Sequence, residues 1–179
     1  IDPKPERIRL ESVFVSHRSD RDKTEHWRPH AGGTNLDPSN SYRFHNGRIY
    51  SGMTRVVWEL NEVVQGQGGT CLVPGSHKAN LTSAQQGDWP EAADHPDSGV
   101  WETYGCPPGS LVVFSEGVRH TAARWTHPGN ARNAILIAYN HLSVRFHEPK
   151  PCMNPVVLNG MSAERQAFFR DVWVLGNMR

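Results

Sequence analysis

Two residues beside apolar runs have side chains suited to binding a metal ion and a carboxylate. His120 follows the apolar run 111–114, and Arg132 stands twelve residues after it, just before the apolar run 134–139. A histidine held at the end of a rigid strand is a natural metal ligand. A guanidinium group can bind a carboxylate through two parallel hydrogen bonds. A structural histidine and an ordinary internal ion pair are the alternative interpretations of these two residues.

Short apolar segments predict the strands that would position these side chains. Besides 111–114 and 134–139, candidate strands lie at 8–15, within 47–64 and at 70–73. In the second of these, Met53, Arg55, Val57 and Glu59 share one face, whereas Trp58 lies on the other. Gly- and Pro-containing turns separate the strands, and the one good helix begins after Ser162 and ends near residue 170. This pattern predicts a mainly β barrel or sandwich with a C-terminal helix.

Length, charge and cysteine content narrow the class of protein. The 179 residues suit a single domain, and 19 basic against 18 acidic residues leave no basic face for nucleic acid. No run of 18 apolar residues is long enough to span a membrane. Three widely separated cysteines form no disulfide framework, which favours a reducing, cytoplasmic location. The polar residues 78–104 predict a long excursion that would close over an active site.

Three motifs taken together resemble the phytanoyl-CoA dioxygenase family. Residues 68–78, Gly-Gly-Thr-Cys-Leu-Val-Pro-Gly-Ser-His-Lys, look like the signature turn of that family. Residues 108–114, followed by His120 and Arg132, resemble its distal half-site. Residues 28–33, Arg-Pro-His-Ala-Gly-Gly, are similar to an N-terminal stretch of a bacterial branch. The order and spacing agree over most of the chain.

The resemblance implies a double-stranded β-helix, a jelly-roll or cupin-like barrel, formed by a single domain over residues 1–179. It implies Fe(II), 2-oxoglutarate and O₂ as cofactor and cosubstrates, with two histidines and one carboxylate as iron ligands. His30 matches the proximal histidine and His120 the distal one. Arg132 matches the arginine that pairs with the far carboxylate of 2-oxoglutarate. Because family members are usually longer at the N-terminus, we expect an N-terminal portion of the protein to precede Ile1.

One position departs from the family pattern, because Gly32 stands where the iron-binding Asp is expected. Another carboxylate could complete the site, with Glu116 as first candidate because residues 116 and 120 would share a face of an extended strand. A halide could instead fill the vacant position, as in halogenating members of the family. Alternatively, the iron site is degenerate and the protein is a small-molecule-binding module.

Other residues compete for places in this site. His45 is a rival for the proximal histidine, and Glu59 and Asp37 are rivals for the carboxylate. Trp58, Trp125 and Gly32 are candidates for lining a substrate pocket.

The sequence thus predicts a non-haem Fe(II)/2-oxoglutarate-dependent oxygenase that hydroxylates a small organic substrate. A zinc-dependent hydrolase built on the same histidines is a weaker alternative, since Glu116 is the one general base placed near them. The identity of the substrate and the oligomeric state are left open.

Overall fold

A computed structural model describes residues 7–24, 26–31, 42–78, 90–145 and 153–172. Within them, the strands in chain order are β1 (Ile8–Arg18), β2 (Tyr42–His45), β3 (Arg48–Ser51), β4 (Met53–Glu59), β5 (Gly69–Leu72), β6 (Leu111–Ser115), β7 (His120–Ala123) and β8 (Arg132–His141). Two helices follow near the C-terminus. The first, α1 (Pro155–Asn159), was not predicted, whereas α2 (Ala163–Gln166) lies within the helix predicted after Ser162.

The strands form antiparallel sheets of the jelly-roll type. The larger sheet has the order β1-β8-β4-β6, and β5 pairs with β7 in a smaller one. Isolated bridges extend the smaller sheet, because Leu72 pairs with Glu102 and His120 pairs with His30. This mainly β architecture confirms the predicted fold class.

Three short strands were not predicted as separate elements from the sequence. Strand β7 has only four residues, and it becomes a strand because β5 pairs with it. Strands β2 and β3 form a hairpin around Asn46 and Gly47, whose φ angles of 50° and 73° are those of a tight hairpin turn. The segment that offered His45 as a metal ligand therefore builds a hairpin in which His45 pairs with Arg48.

The inner face of the larger sheet combines apolar and charged side chains. Strand β4 alternates as predicted, and Met53, Arg55, Val57 and Glu59 are all at most 8% exposed. Buried cations and anions need partners in a low-dielectric interior. The inner face of β4 is therefore where a binding site would be expected.

The outer face of the same sheet is apolar and largely uncovered. Its side chains with exposures between 42% and 70% are Val13, Val15, Trp58, Leu111 and Val113. At one end of this sheet the ring of Phe168 contacts Tyr139, with 6.0 Å between ring centroids. In the described part of the chain, no helix has the length and apolar character needed to cross a membrane.

Candidate metal centre

Three side chains with metal-binding atoms converge beside β7. One ligand atom from each of His30, Glu116 and His120 lies within 4.8 Å of the other two. Glu116 and His120 are buried, whereas His30 is exposed. The cluster is thus open toward solvent on the His30 side and closed on the others.

Backbone pairing fixes the two histidines relative to each other. The backbone N–H of His30 donates to the carbonyl of His120 over 3.0 Å, and the reciprocal bond is 2.8 Å long. Directly opposed residues of an antiparallel pair place their side chains on the same face. The ring centroids consequently lie 4.1 Å apart.

A turn, rather than an extended strand, brings Glu116 to the cluster. Strand β6 ends at Ser115, whose carbonyl accepts a hydrogen bond from the N–H of Val118. The expected proximity of Glu116 and His120 is found, with 3.5 Å between Oε1 and Nε2, but the reason given for it was wrong. Residues 116–119 form a turn between the two sheets. Glu116 and His120 are therefore close because they lie at the two ends of this turn, and not because they share a face of one strand.

The signature turn at residues 74–77 and the neighbouring Val73 form hydrogen bonds with the end of this loop. The Oγ of Ser76 accepts a hydrogen bond from the N–H of Arg119 over 2.8 Å, and the N–H of Val73 donates to the carbonyl of Arg119 over 2.9 Å. These two bonds hold the residue that immediately precedes His120. The family-like turn therefore positions the centre without contributing a ligand to it.

Hydrogen bonds determine which nitrogen of each imidazole is available. Nδ1 of His30 lies 2.8 Å from the carbonyl oxygen of Arg28, and Nδ1 of His120 lies 2.8 Å from that of Val118. A carbonyl only accepts, so each Nδ1 carries a proton, and Nε2 is the nitrogen of each ring that is left to bind a metal ion. Both rings are thus oriented as they would be in a metal site.

The charge states of the buried pair also suit a cation. Burial lowers the pKa of His120 to about 4, although Glu116 opposes this shift. Burial opposes ionisation of Glu116, but the hydrogen bond from Arg55 and the neighbouring positive charges outweigh it and lower its pKa. At neutral pH the centre presents a neutral imidazole and a carboxylate, the forms that bind metal ions.

Arg55 is the residue that holds the carboxylate, and the sequence interpretation gave it no role. Its Nε donates to Oε2 of Glu116 over 2.8 Å, which leaves Oε1 near His120. Its Nη1 is buried and has no hydrogen-bond partner among the described residues. The sequence did contain an indication of this role, because Arg55 is a charged residue between the apolar Met53 and Val57 on the predicted inner face of β4.

Arg132 is engaged by residues of the protein itself. Its Nε and Nη2 donate to the carboxylate of Glu59, with distances between 2.5 and 3.2 Å, and Nη2 also donates to Oγ1 of Thr70. The hydroxyl of Tyr104 donates to the same carboxylate over 2.5 Å. Glu59, a rival carboxylate ligand, therefore serves as the partner of Arg132 and lies outside the three-residue cluster.

The remaining candidates fall in different places. Trp58 is 42% exposed on the outer face of β4, so alternation along the strand turns it away from Arg55 and the cluster. Trp125 is buried, and its indole N–H donates to the carbonyl of Asn130, so it holds the loop after β7. Gly32 and Asp37 lie outside the described residues.

The described end of the polar excursion packs against both histidine-bearing segments. Asp94 forms an ion pair with Arg119, the neighbour of His120. The indole N–H of Trp27 donates to the carbonyl of Asp94 over 2.7 Å, and its ring packs edge-on against Trp101. Residues 91–101 thus tie the chain before His30 to the turn before His120.

Solved structures share this architecture. HygX from Streptomyces hygroscopicus, with nickel and 2-oxoglutarate bound, has a TM-score of 0.57 at 21% identity over 75% of this chain and 56% of HygX. AviO1 from Streptomyces viridochromogenes Tue57 has a TM-score of 0.53 at 17% identity over 82% of this chain and 54% of AviO1. The nickel complex of the non-haem monooxygenase ThoJ has a TM-score of 0.54 at 13% identity, covering 86% and 61% of the two chains. These matches establish a common fold, and the chain spans little more than half the length of HygX.

Family membership follows from the sequence match. None of the curated proteins compared with the chain matches it significantly. The model of the family described as phytanoyl-CoA dioxygenase (PhyH) matches residues 12–133, which is more than half of the chain. The resemblance carried by the three motifs is thereby confirmed, and the chain belongs to the phytanoyl-CoA dioxygenase family.

Proposed function

We propose that this protein is a non-haem Fe(II)/2-oxoglutarate-dependent oxygenase that hydroxylates a small organic substrate. The observation that carries the proposal is the convergence of His30, Glu116 and His120. Two imidazoles and one carboxylate on one side of a metal, with the other positions open, are typical of non-haem Fe(II) oxygenases. The donor set fits the ion, because Nδ1 of each ring is used by a backbone carbonyl, which leaves Nε2 for the metal, and the pKa of Glu116 is lowered.

Each residue would have a separate task. His30 and His120 would bind the ion through Nε2, while the carbonyls of Arg28 and Val118 keep their rings oriented. Glu116 would bind through Oε1 while Arg55 holds Oε2. When bound, Fe(II) with 2-oxoglutarate and O₂ supplies the oxidation that converts a C–H group to C–OH with release of succinate and CO₂.

The surroundings of the centre favour a partly dry pocket. The ring of Phe114 packs edge-on against His120, with 5.1 Å between centroids, and Glu116 is 3% exposed. Exclusion of water strengthens the electrostatic contacts of the ligands and limits side reactions. HygX has been crystallised with hygromycin B as well as nickel and 2-oxoglutarate, and a small organic molecule is the substrate class we propose here.

The position of Glu116 weighs against the alternatives. A halogenating site needs the carboxylate position free for a halide, whereas Glu116 would fill that position. A degenerate binding module would have no reason to keep two oriented imidazoles and an ionised carboxylate together. Iron bound without turnover would support the binding module, and a chloride-dependent change in the spectrum of the iron complex would support the halogenase.

The test is anaerobic Fe(II) binding by the wild-type protein and by E116Q, followed by a succinate assay in air with 2-oxoglutarate. We expect one Fe(II) per chain, a metal-to-ligand charge-transfer band on adding 2-oxoglutarate, and succinate formation. E116Q keeps the shape of the side chain but loses its charge, so its Fe(II) affinity should fall by at least about 10-fold.

E62Q, at an exposed glutamate, is the matched control and should bind Fe(II) as the wild type does. A wild-type protein that binds no Fe(II), or an E116Q protein that binds it equally well, would rule out this ligand set.

A further inference from the structure

Asp94 contacts both of the segments that carry a histidine of the metal centre. Its carboxylate forms an ion pair with Arg119, the residue before His120. Its backbone carbonyl accepts the indole N–H of Trp27, three residues before His30, over 2.7 Å. One residue of the polar excursion therefore joins the two segments.

The ion pair gives the His120 side a defined geometry. Arg119 donates from Nε and Nη2 to the two carboxylate oxygens of Asp94, with 2.5 Å between Nε and Oδ1. Two parallel hydrogen bonds of this kind fix the orientation of the planar guanidinium. Arg119 is 3% exposed, and backbone hydrogen bonds also hold it from residues 73–76. The ion pair is thus a further constraint on the residue that precedes His120.

The His30 segment has its side-chain anchor on the same part of the excursion. The ring of Trp27 packs edge-on against Trp101, with 5.0 Å between centroids. The indole N–H of Trp101 donates in turn to the carbonyl of Ala93 over 2.9 Å. Because His30 itself is exposed, burial of its own side chain does little to hold it in place. The position of His30 therefore depends in part on where residues 93–101 lie.

Building on the proposed function, we propose that Asp94 is a positioning residue of the metal centre. It lies outside the three-residue cluster, and it holds the His30 and His120 segments at the spacing at which both Nε2 atoms reach one ion. Productive geometry tolerates errors of only about 0.5 Å in ligand position, so a small displacement of either segment weakens binding. Metal binding and packing of residues 93–101 then strengthen each other by the same factor, because coupling is reciprocal. A purely structural ion pair would stabilise the fold without this coupling.

The first test measures Ni(II) affinity by calorimetry on the metal-free protein. D94N removes the charge that balances the buried Arg119, so stability should fall, and affinity should fall by about 10-fold. D94L/R119M removes both charges. Its unfolding free energy should therefore recover most of that loss, whereas its Ni(II) affinity should stay low because the link between the segments is still missing. D97N, at a carboxylate that is 88% exposed on the same segment, is the matched control and should bind Ni(II) as the wild type does.

The second test follows hydrogen exchange at the amides of Ala93 and His95, which donate to carbonyls within the segment. Saturating Ni(II) should slow their exchange several-fold in the wild type, although neither residue belongs to the metal cluster. D94L/R119M should lose this slowing. H30Q should lose it too, because the effect is transmitted through the His30 segment. These measurements decide the question even if D94N does not fold.

Three outcomes would overturn the inference and leave the proposed function standing. Ni(II) affinity that recovers together with stability in D94L/R119M would make the ion pair purely structural. Exchange that Ni(II) leaves unchanged in the wild type, or slows equally in H30Q, would show that the segment is not coupled to the centre. An equal loss of affinity in D97N would mean that any disturbance of the segment has the same effect. If the wild type binds no Ni(II), the proposed function itself fails.

Discussion

At the scale of single residues, His120 shows how burial prepares a side chain for metal binding. It is 7% exposed, and its Nδ1 proton is held by the carbonyl of Val118. Burial penalises the imidazolium form, which would compete with a metal for Nε2. The neutral ring is therefore ready to bind over a wider pH range than a solvated histidine.

The same burial makes the metal-free protein sensitive to acid. The pKa of His120 is lowered from 6.5 to about 4 on folding, so between these pH values the unfolded chain binds a proton that the folded protein does not. Stability is present above pH 6.5 and is lost as the pH falls toward 4. The lowered pKa of Glu116 acts in the same direction in still more acidic solution. We expect a loss of up to roughly 3 kcal/mol from His120, measured by urea unfolding at several pH values.

H120Q should lose less stability than the wild type over this range. H95Q, at an exposed loop histidine, should behave as the wild type does. Equal unfolding free energies of the wild-type protein at pH 7 and pH 4.5 would contradict the prediction.

At the scale of elements, the glycine turn before β5 sets the position of the smaller sheet. Gly68 has a φ angle of +98°, and a Cβ there would lie 2.1 Å from the carbonyl oxygen of Arg124. Gly66 has a φ angle of +81°, but a Cβ there would meet nothing within 4 Å. The close approach at Gly68 brings the chain before β5 against the end of β7, the strand that begins with His120.

The two glycines make a matched pair of variants. G66A should cost about 1 kcal/mol, because alanine disfavours a positive φ. G68A should cost at least about 2 kcal/mol more, since backbone atoms must move to admit the methyl group. Urea unfolding of both variants checks this difference, and Fe(II) titration of G68A checks whether the displaced sheet also weakens metal binding. Similar unfolding free energies for G66A and G68A would contradict the prediction, because they would mean that the backbone at Arg124 moves aside at little cost.

At the scale of the whole molecule, buried ion pairs link distant parts of the chain across the inner face of the larger sheet. Arg9 pairs with Glu11 within β1, Arg55 pairs with Glu116, and Arg132 pairs with Glu59. In the last two pairs the partners are 61 and 73 residues apart in sequence. Each pair is neutral by itself, which is the condition under which charges are tolerated inside a fold.

Removal of one partner should cost more than removal of both. E59L leaves Arg132 buried without its anion and should destabilise the protein by about 3–5 kcal/mol. E59L/R132M replaces the pair with apolar groups and should recover most of that loss. The measurement is the unfolding free energy of the wild type and of both variants. A double variant as unstable as the single one would mean that Tyr104 and Thr70, rather than the charge, determine the cost.

Local patterns in the sequence predicted several strands, the family and two candidate metal ligands of this protein. Alternation in β4 predicted its inner face, the apolar runs predicted β6 and β8, and the motif at residues 68–78 indicated the family. His30 and His120 were identified as candidate metal ligands because each matched a motif position. Periodicity and turn residues are local properties, so they can be read from neighbouring positions in the chain.

The tertiary structure decided which charged groups meet. Sheet order places Glu59 beside Arg132, a turn rather than a strand brings Glu116 to His120, and the alignment of β4 with β6 puts Arg55 against Glu116. The pairs Arg55–Glu116 and Arg132–Glu59 join residues 61 and 73 positions apart, so they depend on strand order and register and no local pattern contains them. The sequence by itself thus indicated the family and two candidate histidines, while the partner of each buried charge was decided only when the sheets assembled, because strand order and register set those contacts.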